Sequence, residues 1–287
     1  MQITDFDDAY QNAAYIADAD QYLTKWPEKA AAFRAKYPPE TLAYGSGERQ
    51  FVDLFHPKGV PQGLTIIIHG GYWLRFECRD FSHLAGGALD RGQAVAMINY
   101  TLAPQARITQ IVDEVAQAVC LLSDKINGPI HITGHSAGGH LATRMTCLGA
   151  LPEETAARIA HVMSISGVHD LRPLMKTSMR QSLRLDPEEA IAQSPALLTP
   201  RPNTVLTAVV GADERPEFLR QNDLLANIWT GCGADTRAVH LSGLHHFNVI
   251  EGLEASDGAL TELLFDRAQT TFPMINSASP LSPACDR

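Results

Sequence analysis

The chain has 287 residues, 45% apolar and 19% charged, and its 23 basic and 32 acidic side chains give a formal net charge of −9. This length and composition suit one large α/β domain better than two small ones, and an acidic chain without basic runs is a poor match for nucleic acid or an anionic membrane. No stretch approaches the roughly 18–20 apolar residues that span a bilayer, and MQITDFDDAY lacks the apolar core of a secretory signal. The five scattered cysteines, Cys78, Cys120, Cys147, Cys232 and Cys285, form no C-x-x-C pair. They read as reduced thiols in a cytoplasmic protein.

The first 40 residues or so read as a helical extension carrying Trp26 and Phe33 on one side and stopped by Pro38-Pro39. RQFVDLFHP alternates like a partly exposed strand, and GLTIIIHGG is a continuous β-branched run of the kind buried on both faces of a parallel sheet. A helix is expected near 80–91, then the strand AVAMINY, then a helix over 107–125 with apolar residues at helical spacing. GPIHITGH is the next strand and Ala137–Leu148 the next helix. AHVMSISG and NTVLTAVVG read as strands, Glu217–Trp229 as a helix, TRAVHLSG as the last strand, and FNVIEGL as the opening of a final helix. Alternating strands and helices predict a mostly parallel sheet with helices on both faces. Residues 169–200 hold three prolines before Thr199 and no clear strand, and are expected to form a small lid over the carboxyl end of the sheet. The domain is expected to span 1–272, followed by a disordered Ser- and Pro-rich tail over 273–287.

Gly134-His135-Ser136-Ala137-Gly138 matches G-x-S-x-G and lies between a predicted strand and a predicted helix. In that setting the serine sits on a tight turn with its hydroxyl exposed above the sheet. A serine hydroxyl is a weak nucleophile near neutral pH, so it needs a base, and the base needs an orienting acid. The acid is sought where NTVLTAVVG ends at Gly211, which offers Asp213 and Glu214, with Glu217 as a weaker third choice. The base is sought after the last strand, where His245 and His246 adjoin and His246 begins the apolar turn into the last helix. His240 sits inside a strand and reads as structural, and His140 reads as a hydrogen-bonded residue on the helix beneath the site. His69-Gly70-Gly71-Tyr72-Trp73 supplies glycines whose N–H groups, with that of Ala137, can face a developing oxyanion. Tyr72 and Trp73, or the lid around Leu174 and Met175, are candidates for an apolar wall around a leaving group. No histidine set has metal-ligand spacing, so neither metal nor cofactor is expected.

HGGYW at 69–73, GHSAGGHL at 134–141, PEFLRQ at 216–221, HFNVIEGL at 246–253 and YGSGERQFVDLFHP at 44–57 resemble the α/β-hydrolase superfamily, and within it the kynurenine formamidases (arylformamidases). The resemblance implies an α/β-hydrolase fold and hydrolysis of N-formylkynurenine to kynurenine and formate, in tryptophan breakdown. It implies a triad of Ser136, His246 and an acid at 213 or 214, with oxyanion donors from Gly70, Gly71 and Ala137. In many such hydrolases the acid comes three residues after the strand-closing glycine, which favours Glu214 over Asp213. A short-chain carboxylesterase with the same triad and a non-catalytic binding module are the alternatives. The expected partner is a small amide or ester, and a homodimer stays open.

Overall fold

The computed structural model describes residues 3–265. The expected tail at 273–287 and Cys285 lie outside them. Cys78, Cys120, Cys147 and Cys232 are free thiols.

Among the described residues, eight strands form one sheet: β1 (Glu40–Ala43), β2 (Phe51–Phe55), β3 (Leu64–Ile68), β4 (Ala94–Ile98), β5 (Ile130–His135), β6 (Ile159–Ile165), β7 (Val205–Gly211) and β8 (Asp235–Leu241). Their order is β1-β2-β4-β3-β5-β6-β7-β8. β2 is antiparallel to both β1 and β4, and every other pairing is parallel. β3 and β4 are buried at every position, as continuous aliphatic runs require. Ile66 and Ile68 join one core with Val115, Leu141 and Phe218, while Ile67 joins the other with Trp26, Phe81 and Leu260. Helices therefore cover both faces, as an α/β-hydrolase requires.

The structure alters several sequence expectations. β1 was not anticipated, and its pairing leaves Val52 through Phe55 of β2 buried rather than partly exposed. The extension is not one helix. It comprises Phe6–Ala9, a 3-10 turn at Ala13–Tyr15 and the long helix Ala19–Lys36, which ends before Pro38. The segment near 80–91 is a 3-10 helix at Cys78–Ala85 followed by a short helix at Gly86–Asp90. HFNVIEGL makes only a 3-10 turn at Val249–Leu253, and a turn closing at Gly258 separates it from the helix Ala259–Phe265.

Residues 169–200 form short helical pieces at Arg172–Lys176, Met179–Leu183, Pro187–Ala192 and Pro195–Leu197. Pro173, Pro187 and Pro195 each stand in a first turn, where the missing N–H costs nothing.

Candidate active site

The sheet order explains why distant segments meet. β3, β5, β6, β7 and β8 are consecutive neighbours and all parallel from β3 onward. The loops leaving their carboxyl ends therefore lie side by side, where open α/β sheets place their sites. Those loops carry Gly70 and Gly71, Ser136, Ser166, Glu214 and His246 respectively.

Ser136 caps the helix Ala137–Arg144 at φ 55° and ψ −116°. A non-glycine residue pays about 1–3 kcal/mol for such backbone, and the surroundings hold it there. Its N–H donates to Ile165 O at 2.8 Å, and its carbonyl accepts from His140 N–H at 3.1 Å. Gly138 is fixed by space, because a Cβ there would lie 2.0 Å from the carbonyl oxygen of Ile68. The helix after the serine thus packs directly against the end of β3.

His246 is buried and points Nδ1 at Glu214 Oε2, 2.6 Å away. Its ring packs between those of His135 and Phe218, with centroids 4.5 and 4.6 Å away. The other Glu214 oxygen, Oε1, accepts from Ser166 Oγ at 2.5 Å and from Gly211 N–H at 2.9 Å. Asp213 is exposed, and its backbone N–H ties to Leu244 O. Glu217 turns elsewhere: it accepts from the Tyr10 phenol at 2.8 Å, from Gln221 and from Arg220. His245 is spent on the backbone, its Nδ1 accepting from Phe247 and Asn248 N–H.

Gly70, Gly71, Ser136, His135 and His246 all line one cavity of about 270 Å³. Among the described residues, the N–H groups of Gly71 and of Ala137, beside Ser136, have no acceptor. Gly71 (φ 107°), Tyr72 (φ 53°) and Trp73 (φ 57°) form a run of left-handed backbone. Successive side chains of this run part company. Tyr72 lines the cavity and donates its phenol to Tyr10 O at 2.6 Å. Trp73 is fully buried in the core, its ring edge-on to His140 at 5.1 Å, and is not a cavity wall. Leu174 is likewise core, and Met175 does not face the cavity. From the 169–200 segment, Ser178 and Met179 do.

Most of the roof comes from the amino-terminal extension. Asp7, Tyr10, Gln11, Asn12, Leu23 and Trp26 border the cavity, and Trp26 packs its ring against Phe76, Phe81 and Phe247, which line it too. The extension is fastened by Tyr10 to Glu217, Asp8 to Arg215 and Asp7 to Ser178. PEFLRQ therefore anchors the roof: Gln221 also receives the His169 and Asp170 N–H groups, each at 2.8 Å. Nothing in the spacing of Tyr10 or Ser166 announces these roles.

Burial disfavours charge on three of the surrounding histidines. Burial pushes His69 and His140 down to about 3 and holds His135 well below the ordinary histidine range. Burial, then the nearby Glu217, raises Tyr10, which stays a hydrogen-bond donor. Among the described residues no three His, Cys, Asp or Glu side chains gather as a metal set, and no helix is long and apolar enough to cross a membrane.

Comparisons with known proteins agree with this architecture. The BD-FAE family model matches residues 52–204. The kynurenine formamidase of Salmo salar is 28% identical over 250 residues, 82% of this chain and 85% of its own length. A solved structure from Silicibacter sp. tm1040, described as a candidate thioesterase, is 43% identical with a TM-score of 0.86, covering 91% of this chain and 98% of that one. The Pyrobaculum calidifontis esterase shares the fold at 17% identity and a TM-score of 0.66, over 90% of this chain and 95% of its own. The chain belongs to the BD-FAE family and is a serine hydrolase of the α/β-hydrolase fold, similar to the kynurenine formamidases.

Proposed function

We propose that this hydrolase removes a small acyl group from an aryl amide, with N-formylkynurenine as the substrate and kynurenine and formate as the products. The observation that carries the reading is the shared cavity. It holds Ser136, the Glu214-bound His246 and the Gly70–Gly71 loop together under an aromatic roof. The similarity to kynurenine formamidases supports the choice of acyl group.

Ser136 Oγ attacks the formyl carbon while His246 Nε2 takes its proton. Glu214 fixes the tautomer, because Nδ1–H donates to its carboxylate, and it stabilises the imidazolium that forms. The tetrahedral oxyanion is met by the Gly71 and Ala137 N–H groups, each such donor being worth about 3 kcal/mol. His246 then protonates the departing arylamine nitrogen. Water, deprotonated by His246, releases formate from Ser136 and restores the free hydroxyl. A formyl group needs little room on the acyl side, and the aromatic walls suit an aryl leaving group.

A second reading is hydrolysis of short acyl esters with the same machinery, and the description of the Silicibacter relative extends it to thioesters. Purified protein assayed on N-formylkynurenine beside p-nitrophenyl acetate and a short acyl thioester separates the two. A kcat/KM near about 10⁴ M⁻¹s⁻¹ or higher on the formamide is expected. Turnover of the esters alone would overturn the formamidase reading and leave the hydrolase.

A further inference from the structure

The cavity wall carries two fixed charges among the described residues, Asp7 and Arg75. The rest is aromatic, aliphatic, small or neutral polar, apart from the two imidazoles. Arg75 rides on the same tight turn as Gly71, its N–H donating to Gly71 O at 3.0 Å. Its position is thus tied to the loop that faces Ser136. The guanidinium lies 5.6 Å from the Phe76 ring centroid, is exposed, and enters no ion pair among the described residues. A guanidinium on an aromatic rim without a carboxylate partner is suited to take one from a ligand.

Asp7 comes from the roof. Its Oδ1 accepts from Ser178 N–H at 2.7 Å and from Ser178 Oγ at 2.9 Å. Oδ2 has no hydrogen bond among the described residues. One carboxylate and one guanidinium, both lining the same largely apolar cavity, match a ligand that carries one charge of each sign.

We propose that Arg75 and Asp7 are specificity residues for an amino-acid head group on the leaving-group side of the substrate. Arg75 receives the α-carboxylate and Asp7 the α-ammonium, so zwitterionic aryl substrates are favoured over neutral ones with the same scissile bond. The inference rests on the reading of this cavity as the seat of acyl transfer, not on the acyl group being formyl.

The test uses two matched pairs. N-formylkynurenine is compared with 2-formamidoacetophenone, which keeps the aryl formamide and lacks the amino-acid tail. O-acetyl-L-tyrosine is compared with p-cresyl acetate in the same way. The readout is the ratio of kcat/KM, zwitterionic over neutral, in the wild type and in R75Q, R75K and D7N. Asn at position 7 keeps an Oδ1 for Ser178, so the roof stays fastened. The wild-type ratio is expected to exceed one. R75Q should lower it about tenfold or more, mainly through KM, since a charge-assisted hydrogen bond is lost from ground and transition states alike. R75K should recover part, and D7N should fall below the wild type. Added salt should narrow the wild-type ratio. A ratio that is the same in R75Q as in the wild type, on whichever pair turns over, overturns the proposal and leaves Arg75 a solvated rim charge. If only the ester pair turns over, the formamidase reading fails while Arg75 and Asp7 are still judged on that pair. Turnover of neither pair overturns both.

Discussion

Glu214 reaches His246 Nδ1 at 2.6 Å, while Asp213, its neighbour in the chain, faces solvent. The two carboxylates leave the end of β7 together, and the turn decides between them. Glu214 folds back so that its Oε1 caps Gly211 N–H and its Oε2 meets the histidine. Glu214→Gln should therefore lower kcat by about 10³–10⁴-fold, because an amide can hold the wrong imidazole tautomer. Asp213→Asn should leave kcat near the wild-type value. Steady-state kinetics of both variants on any turned-over substrate decide the matter, and equal, mild losses would remove Glu214 from the role.

Ser136→Ala should abolish turnover to within the residual rate that bound water can sustain, a loss of at least about 10³-fold. A serine-directed phosphonate should label the wild type and not the variant. Substantial hydrolysis by the alanine variant would be incompatible with the proposed acyl-enzyme.

Ser166 sits on left-handed backbone at φ 52° and donates its hydroxyl to Glu214 Oε1. It does not line the cavity, and in the proposed mechanism its hydrogen bond holds the acid. Ser166→Ala should leave KM little changed and lower kcat about tenfold, the effect of losing one hydrogen bond to a buried carboxylate. Ser166→Thr, which keeps the hydroxyl, should restore part of the rate. A change confined to KM would mean that the hydroxyl shapes the pocket rather than the acid.

Tyr10→Phe removes the phenol that bonds Glu217 and receives Gln221 Nε2. The roof should loosen by about 1–3 kcal/mol, the usual loss for a buried hydrogen bond to a charged group. KM should rise more than kcat falls, and limited proteolysis should cut the 7–26 segment sooner than in the wild type. Unchanged protease sensitivity would argue that Asp8–Arg215 and Asp7–Ser178 suffice to hold it.

Buried neutral histidines should lower stability in acid. His69, His140 and His169 are pushed down to about 3 by burial. In the unfolded chain they titrate near about 6.5. Above that pH neither state binds the proton and no penalty exists. Below it the unfolded chain gains protons that the folded state refuses, so stability falls as pH drops from about 6.5 toward 3, by about 1.4 kcal/mol per unit for each residue. Urea midpoints should therefore be lower at pH 5 than at pH 7.5, and His140→Gln should flatten part of that slope. A midpoint independent of pH over this window would show that these rings are charged when folded.

The sheet was legible because its central strands are uninterrupted aliphatic runs between glycine-rich turns, as in Leu64–Ile68 and Ala94–Ile98. β1 was not, since Glu40–Ala43 has no apolar alternation of its own and becomes a strand only by pairing with β2. At the site, motif and strand order placed the serine loop and the HGG loop next to one another. They could not separate Tyr72 from Trp73, because on this run of left-handed backbone one ring lines the cavity while the next is buried in the core. They could not reveal the roof either. Tyr10 and Glu217 are 207 residues apart, and only the folded sheet brings them within 2.8 Å.

That last contact has a consequence for synthesis. A chain emerging from the ribosome exposes Tyr10 and Trp26 long before Glu217 and Arg215 exist to receive the roof. Until the helix Pro216–Gly231 has emerged, the roof lacks its fastenings to Glu217 and Arg215 and is held only by earlier partners such as Tyr72. His246 follows later still. For the same interval Tyr10 and Trp26, which the finished fold buries at 2% and 4% exposure, have only part of their final surroundings.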